Sequence, residues 1–171
     1  PQTYAISVGS IYNSLKDKIN IKIFIPEILK HGYIDKIPEA RYYGISMYYI
    51  ETLESKHIIK HLKSKFKDSI ILCGGEYPTN FYNDVFFNIP ELDFIVMGDG
   101  QKTVEDLILN NIDFNKLPHV STRTKTGIIA ERGNYSYVVD NDDAFFGLNW
   151  DEIQKNDKCD KEYYWAVSAS G

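Results

Sequence analysis

A chain of 171 residues with 43% apolar, 14% aromatic and 25% charged residues has the composition of an ordinary globular domain, which excludes intrinsic disorder as its main state. At this length one core can bury roughly 70% of the surface that the unfolded chain exposes, so neither disulfides nor a structural metal is needed for stability. Asp and Glu number 24 against 19 Lys and Arg, a net charge of -5, and this balance argues against nucleic acid and against anionic membranes as partners.

The spacing of Val8, Ile11, Tyr12, Leu15 and Ile19 predicts an amphipathic helix at the start. Ile21, Ile23 and Ile25 then alternate with Lys22 and Phe24 until Pro26 stops the run, which predicts a strand near a sheet edge. A helical or loop stretch through His31 and Gly32 leads to a second strand over 42–47. Over 51–66 the positions Ile58, Ile59, Leu62 and Phe66 form one helical face, with Lys60, Lys63 and Lys65 on a solvated remainder. The apolar run 69–73, closed by Gly74-Gly75, and the run 94–97, closed by Gly98-Asp99-Gly100, predict two fully buried strands. Helical spacing returns at Val104, Leu107 and Ile108 before Asn110-Asn111 and Pro118. Residues 119–125 alternate, Thr126-Gly127 turns the chain, and 128–132 return as a hairpin. From Asn134 onward, Asn, Asp and Lys clusters broken by Phe145-Phe146 and Tyr163-Tyr164-Trp165 read as an extended linker that docks by its aromatics.

Strands that alternate with helices and are apolar on both faces predict an α/β fold, an open parallel sheet covered by helices. The expected division is an α/β domain over 1–117 and an appended β-hairpin with an extended C-terminal linker over 118–171. No apolar run approaches the ~18 residues of a membrane span, and 1–10 lack the basic flank and apolar stretch of an export signal, so a cytoplasmic location is expected. Cys73 and Cys159 lie far apart, one in an apolar run and one in a charged segment, and predict neither a disulfide framework nor a zinc site.

Open parallel sheets bind ligands beyond the carboxyl ends of their strands, which directs attention to three segments. They are Ser46-Met47-Tyr48-Tyr49, Gly74-Gly75-Glu76-Tyr77-Pro78-Thr79 and Gly98-Asp99-Gly100-Gln101-Lys102-Thr103. Glycine at two consecutive strand ends lets the backbone approach a bulky ligand or its phosphate. A dinucleotide fingerprint fails, because Thr103 stands where the third glycine belongs, and a Gly-Lys-Ser/Thr phosphate loop is absent. His57 and His61 have the i, i+4 spacing of metal ligands but sit among Lys60 and Lys63, so an exposed helix face is expected. Tyr77, Phe81, Tyr82, Phe86 and Phe87 suit a pocket wall and a core equally well. Glu76 and Asp99 read as solvated or structural carboxylates, Asp99 as the N-cap of the helix that follows.

In their order and spacing the segments GISMYY, GGEYPT and GDGQKT, followed by a hairpin and by Val167-Ser168-Ala169-Ser170-Gly171, resemble the cobalamin-binding domain of cobalamin-dependent radical S-adenosylmethionine enzymes. The resemblance covers nearly the whole chain and implies a flavodoxin-like or Rossmann-like cobalamin-binding fold. It implies cobalamin held over the strand ends by Ser46, Met47, Tyr48, Gly74, Gly75, Glu76, Tyr77, Pro78, Thr79, Gly98, Asp99, Gly100 and Thr103. The parent protein would be of the methyltransferase type and would also carry a [4Fe-4S] cluster and S-adenosylmethionine, bound by a radical-SAM catalytic domain that partners this one in the same chain. The cluster motif CxxxCxxC is absent here, so the chain alone is not expected to be catalytic. The Asp-x-His-x-x-Gly motif that supplies a cobalt ligand elsewhere is absent too, since His31, His57, His61 and His119 lack that context. The family fold begins with a strand before its first helix, and that strand is expected to be missing from this chain. Two alternatives stay open: a cobalamin-free docking domain of the same descent, and a flavodoxin-like module for a flavin or nucleotide.

Overall fold

The computed structural model describes residues 6–24, 33–113, 116–130 and 164–168. Helix α1 spans Ile6–Leu15 and strand β1 Ile21–Phe24; Val8, Tyr12 and Leu15 share one buried face of the helix, as their spacing requires. A short turn of 3-10 helix at Tyr33–Lys36 precedes β2, Tyr42–Ser46, and another at Tyr49–Glu51 precedes α2, Thr52–Lys65. Strand β3, Ile70–Gly74, leads to two short helices, α3 at Glu76–Asn80 and α4 at Tyr82–Asn88. Strand β4 is Phe94–Val96 and helix α5 is Gln101–Ile108. A hairpin of β5, Val120–Thr124, and β6, Gly127–Ala130, follows, and the last described strand is β7, Tyr164–Ser168.

All seven strands form one sheet in the order β1-β7-β2-β3-β4-β5-β6. The pairs from β1 to β4 are parallel, and β5 joins β4 antiparallel, so the hairpin makes the antiparallel end of a mainly parallel sheet. Side chains alternate across the sheet as a strand's period of two dictates. Tyr43, Ile45, Ile71, Cys73 and Ile95 enter one core with Ile58, Ile59 and Leu62 of α2 and Val85 and Phe86 of α4. Tyr42, Leu72, Phe94 and Val96 enter a second core with α1 and with Val104 and Leu107 of α5. The helices thus cover both faces, and the α/β architecture read from the sequence is the architecture found.

Several local expectations change. Lys22, which alternation assigns to the solvent side of β1, is only 5% exposed, because β7 and α1 both flank this strand. Lys63 is not simply solvated: its ammonium group donates to both Asp93 carboxylate oxygens, at 3.1 and 2.8 Å, and to the Ser69 carbonyl at 2.6 Å. Asp93 also accepts the Ile71 N–H at 2.7 Å, so one carboxylate ties α2 to the amino ends of β3 and β4. The expected linker over 134–163, Cys159, the stretch through His31 and Gly32, and Ile25 with Pro26 lie outside the described residues. Tyr164–Ser168 stands inside the sheet, parallel to both β1 and β2.

Candidate ligand site at the carboxyl ends of the strands

Ser168, Ser46, Gly74 and Val96 are register partners on successive parallel strands and form one row at the carboxyl edge. The chain leaves this row in two directions. After β3 it turns into α3 and α4, whose Tyr77, Val85 and Phe86 pack in the first core; after β4 it turns into α5, whose Val104 and Leu107 pack in the second. Loops that leave adjacent parallel strands toward opposite faces open a crevice at this carboxyl edge, the side on which open α/β sheets bind ligands.

The backbone at that point has features that favour glycine. Gly75 has φ 112, and a Cβ there would stand 2.9 Å from the Met47 carbonyl oxygen. The loops after β2 and β3 touch here, with the Met47 N–H donating to the Gly74 carbonyl at 2.9 Å. Gly98, with φ 69, is the second left-handed position, and its N–H donates to the Thr79 hydroxyl oxygen at 3.0 Å. The loops after β3 and β4 are therefore joined by a side chain. Thr79 keeps its own hydroxyl proton for a further acceptor.

The thirteen residues singled out from the sequence sort into two groups by burial. Ser46, Tyr48, Gly74, Gly75, Thr79 and Gly100 are partly exposed at the edge, and Glu76, Gly98 and Asp99 are open to solvent. Met47, Tyr77, Pro78 and Thr103 are buried, and Met47 and Tyr77 belong to the first core. Tyr77 donates its hydroxyl proton to the Asp84 carboxylate, and this bond, with burial, pushes its pKa up to about 12. The N-cap of α5 is Gly100, not the expected Asp99. The first bond within α5 runs from the Val104 N–H to the Gly100 carbonyl at 2.8 Å, which leaves the N–H groups of Gln101 and Thr103 ahead of the helical ladder. Thr103 is 2% exposed, and its hydroxyl has no hydrogen-bond partner among the described residues.

Four features at this edge escaped the sequence. The entry to α2 has inverted polarity: Tyr49, Ile50 and Leu53 are 73%, 80% and 84% exposed, while Glu51 and Ser55 are buried. The Tyr49 ring meets Tyr77 edge-on at 5.3 Å, and Tyr77 meets Phe81 at 5.4 Å, so an aromatic row runs from the loop after β2 to the end of α3. Of the other aromatics weighed as pocket wall or core, Phe86 is core, Tyr82 packs against it, and Phe87 is exposed. His119 is buried with φ 60, and its carbonyl accepts the Met97 N–H at 2.8 Å beside Gly98. A positive φ on a histidine leaves no trace in sequence. Ser168 joins the row only through long-range pairing. His61 lies 3.7 Å from the Asp35 carboxylate, and among the described residues no group of three or more His, Cys, Asp or Glu is placed to hold a metal ion.

No protein-family model matches the chain. Over 71 residues it is 37% identical to the anaerobic magnesium-protoporphyrin IX monomethyl ester cyclase of Synechocystis sp., a match covering 40% of this chain and 14% of the cyclase. The fold is similar to that of the radical S-adenosylmethionine methyltransferase TsrM from Kitasatospora setae, solved with cobalamin and a [4Fe-4S] cluster bound. That likeness has a TM-score of 0.62 at 14% identity and covers 78% of this chain and 26% of the methyltransferase. The chain thus spans a minor part of both proteins. The resemblance to the cobalamin-binding domain of cobalamin-dependent radical S-adenosylmethionine enzymes, carried in the sequence by GISMYY, GGEYPT and GDGQKT, is met in three dimensions by the fold of one such enzyme.

Proposed function

We propose that this chain is the cobalamin-binding domain of a radical S-adenosylmethionine enzyme of the methyltransferase type, with the corrin held at the carboxyl ends of the parallel strands. The observation that carries the reading is the glycine-lined crevice between the loops after β3 and β4, closed by the Thr79–Gly98 hydrogen bond. The donors present suit a large ligand rich in amide and phosphate oxygens. Thr79 has a hydroxyl proton to give, the N–H groups of Gln101 and Thr103 precede the ladder of α5, and the buried Thr103 hydroxyl has no partner among the described residues. Bound cobalamin would supply the methyl-transfer chemistry, and the cluster and S-adenosylmethionine would belong to the catalytic domain. This chain's residues would bind and orient: Thr79, Ser46 and the backbone of α5 at the polar tail, Tyr48 and Tyr49 at the apolar rim. Gly74 and Gly75 would let the ligand lie close to the backbone. The domain boundary near 117, the site residues and the catalytic partner belong to the same proposal.

A dark titration of the purified chain with hydroxocobalamin, desalted and read by absorption spectroscopy, tests it. Corrin retained in the protein fraction at about one equivalent is expected. A protein fraction with no corrin bands overturns the reading in favour of a cobalamin-free docking domain, for which the exposed Tyr49, Ile50 and Leu53 are the feature to follow.

A further inference from the structure

The outer side of α2 changes character along its length. The inner face that carries Ile58, Ile59 and Leu62 continues back to Ser55 and Glu51, both buried, so the helix turns polar side chains inward at its start. Leu53, with Tyr49 and Ile50 in the 3-10 turn before it, stands exposed on the outer side, where the following turns carry the exposed His57 and Lys60. The apolar surface is thus confined to the end of α2 that adjoins the carboxyl edge. It continues along the aromatic row, since Tyr49 lies edge-on to Tyr77 at 5.3 Å and Tyr77 lies 5.4 Å from Phe81, itself 58% exposed. Together Tyr49, Ile50, Leu53 and Phe81 expose on the order of 500 Å² of mostly apolar side chain, a patch of the size that marks an interaction surface. A free-standing association needs about 800 Å² from each partner, more than this patch offers. Contacts between domains of one chain bury about 600–1,500 Å² in all, and the covalent tether supplies the effective concentration that so small an area lacks. The chain spans 26% of the methyltransferase that it resembles in fold and 14% of the matched cyclase, so the larger part of a parent of either size lies outside it.

We propose that Tyr49, Ile50, Leu53 and Phe81 are the seat on which the catalytic domain of the parent chain docks, by an apolar surface of its own. The inference rests on the cobalamin reading above and goes beyond it by naming where the two domains touch: beside the loops after β2 and β3, where the contact borders the ligand edge. The burial of Glu51 and Ser55 and the exposure of Ile50 and Leu53 are then two sides of one arrangement, a helix start whose apolar side faces the other domain.

Hydroxyl-radical footprinting read by mass spectrometry, on this chain and on the full-length parent protein, tests this. Phe87, 86% exposed on α4 and outside the aromatic row, is the internal reference. In this chain alone all five side chains are expected to be oxidised at the rates of exposed residues. In the parent, Tyr49, Ile50, Leu53 and Phe81 are expected to slow at least fivefold relative to Phe87. Leu53→Asp in the parent is expected to return Tyr49 and Ile50 to within twofold of their rates in this chain alone, whose melting temperature the same substitution leaves unchanged. Rates in the parent equal to those in this chain, while corrin is retained, overturn the inference and leave the cobalamin reading standing. So do protection that persists in Leu53→Asp and a parent that ends with this chain. Protection of this chain that grows with its concentration, with a dimer in sedimentation, assigns the patch to a second copy and overturns the inference. Protection by hydroxocobalamin alone assigns it to the ligand and does the same. A parent that retains no corrin, with the four residues protected and released by Leu53→Asp, removes the cobalamin reading and leaves the domain contact standing.

Discussion

The hydroxyl oxygen of Thr79 accepts the backbone N–H of Gly98 at 3.0 Å, so a single side chain at the end of α3 holds the loop after β3 against the loop after β4. The two loops lead to helices on opposite faces, and nothing in their local sequence would keep them together. The bond sits where the sheet divides, and it brings the GGEYPT and GDGQKT segments into one edge.

Removing that oxygen while keeping the branched shape isolates its effect. Thr79→Val is expected to lower the stability of the chain by about 1 kcal/mol, the usual net worth of one hydrogen bond, measured by urea unfolding. Thr79→Ser keeps the acceptor and is expected to stay near wild type. If the proposed site is right, Thr79→Val also weakens hydroxocobalamin binding and Thr79→Ser does not.

Gly75 and Gly127 separate backbone strain from steric collision. Both have positive φ, 112 and 145, but a Cβ on Gly75 would collide with the Met47 carbonyl at 2.9 Å, while one on Gly127 would meet nothing within 4 Å among the described residues. Gly127→Ala therefore carries conformational strain alone, about 1 kcal/mol, and Gly75→Ala adds a backbone clash that places it at about 3 kcal/mol or more. Equal destabilisation of the two variants in denaturant titrations would contradict this account.

Tyr77 predicts an alkaline signature. Its hydrogen bond to the Asp84 carboxylate, followed by burial, raises its pKa from the ordinary 10.0 to about 12. A group whose folded pKa lies above its unfolded value contributes stability that is whole below the unfolded pKa, here pH 10.0, and is lost as pH rises through the folded pKa of about 12. Burial also raises Tyr43, so wild type loses stability from two phenols in alkali. Tyr77→Phe is expected to be less stable than wild type at neutral pH and to lose less of its remaining stability between pH 10 and 12, followed by urea midpoints across that range. A variant whose alkaline slope matches wild type would show that the Tyr77–Asp84 pair does not form in solution.

The inverted entry to α2 gives a prediction opposite to hydropathy. Leu53 is 84% exposed and Ser55 is fully buried, so Leu53→Ser is expected to change stability by no more than about 0.5 kcal/mol. Ser55→Leu, which adds an apolar side chain to a filled core, is expected to cost about 1–3 kcal/mol. Thermal melts of the two variants decide between this placement and the ordinary amphipathic one.

Cys73 shows how far local pattern reaches. It lies in an apolar run closed by glycines, and a strand buried on both faces follows from that alone; the structure places it fully buried in β3, its thiol pKa pushed up by the loss of water. The helical faces of Val8, Tyr12 and Leu15 and of Ile58, Ile59 and Leu62 were legible for the same reason, since burial of a repeating apolar stripe is a local property of the chain. Strand ends marked by Gly74-Gly75 and Gly98 were equally legible, and they are what pointed to the carboxyl edge as the place for a ligand.

Other features depend on partners remote in sequence. Lys22 reads as a solvent-facing residue until β7 pairs with β1, and Lys63 reads as one of several surface lysines until Asp93 arrives from the amino end of β4. Thr79 reads as a ligand contact, and its bond to Gly98 appears only once α3 has folded back along the sheet. The sequence by itself determined the α/β class, the alternation of strands and helices and the glycine-marked strand ends, because periodic burial and backbone freedom are written residue by residue. Only the tertiary structure decided the position of β7 between β1 and β2, the tie between the two loops and the burial of Thr103. Backbone pairing between strands carries no residue code, and the cover over a side chain comes from elements distant in the chain.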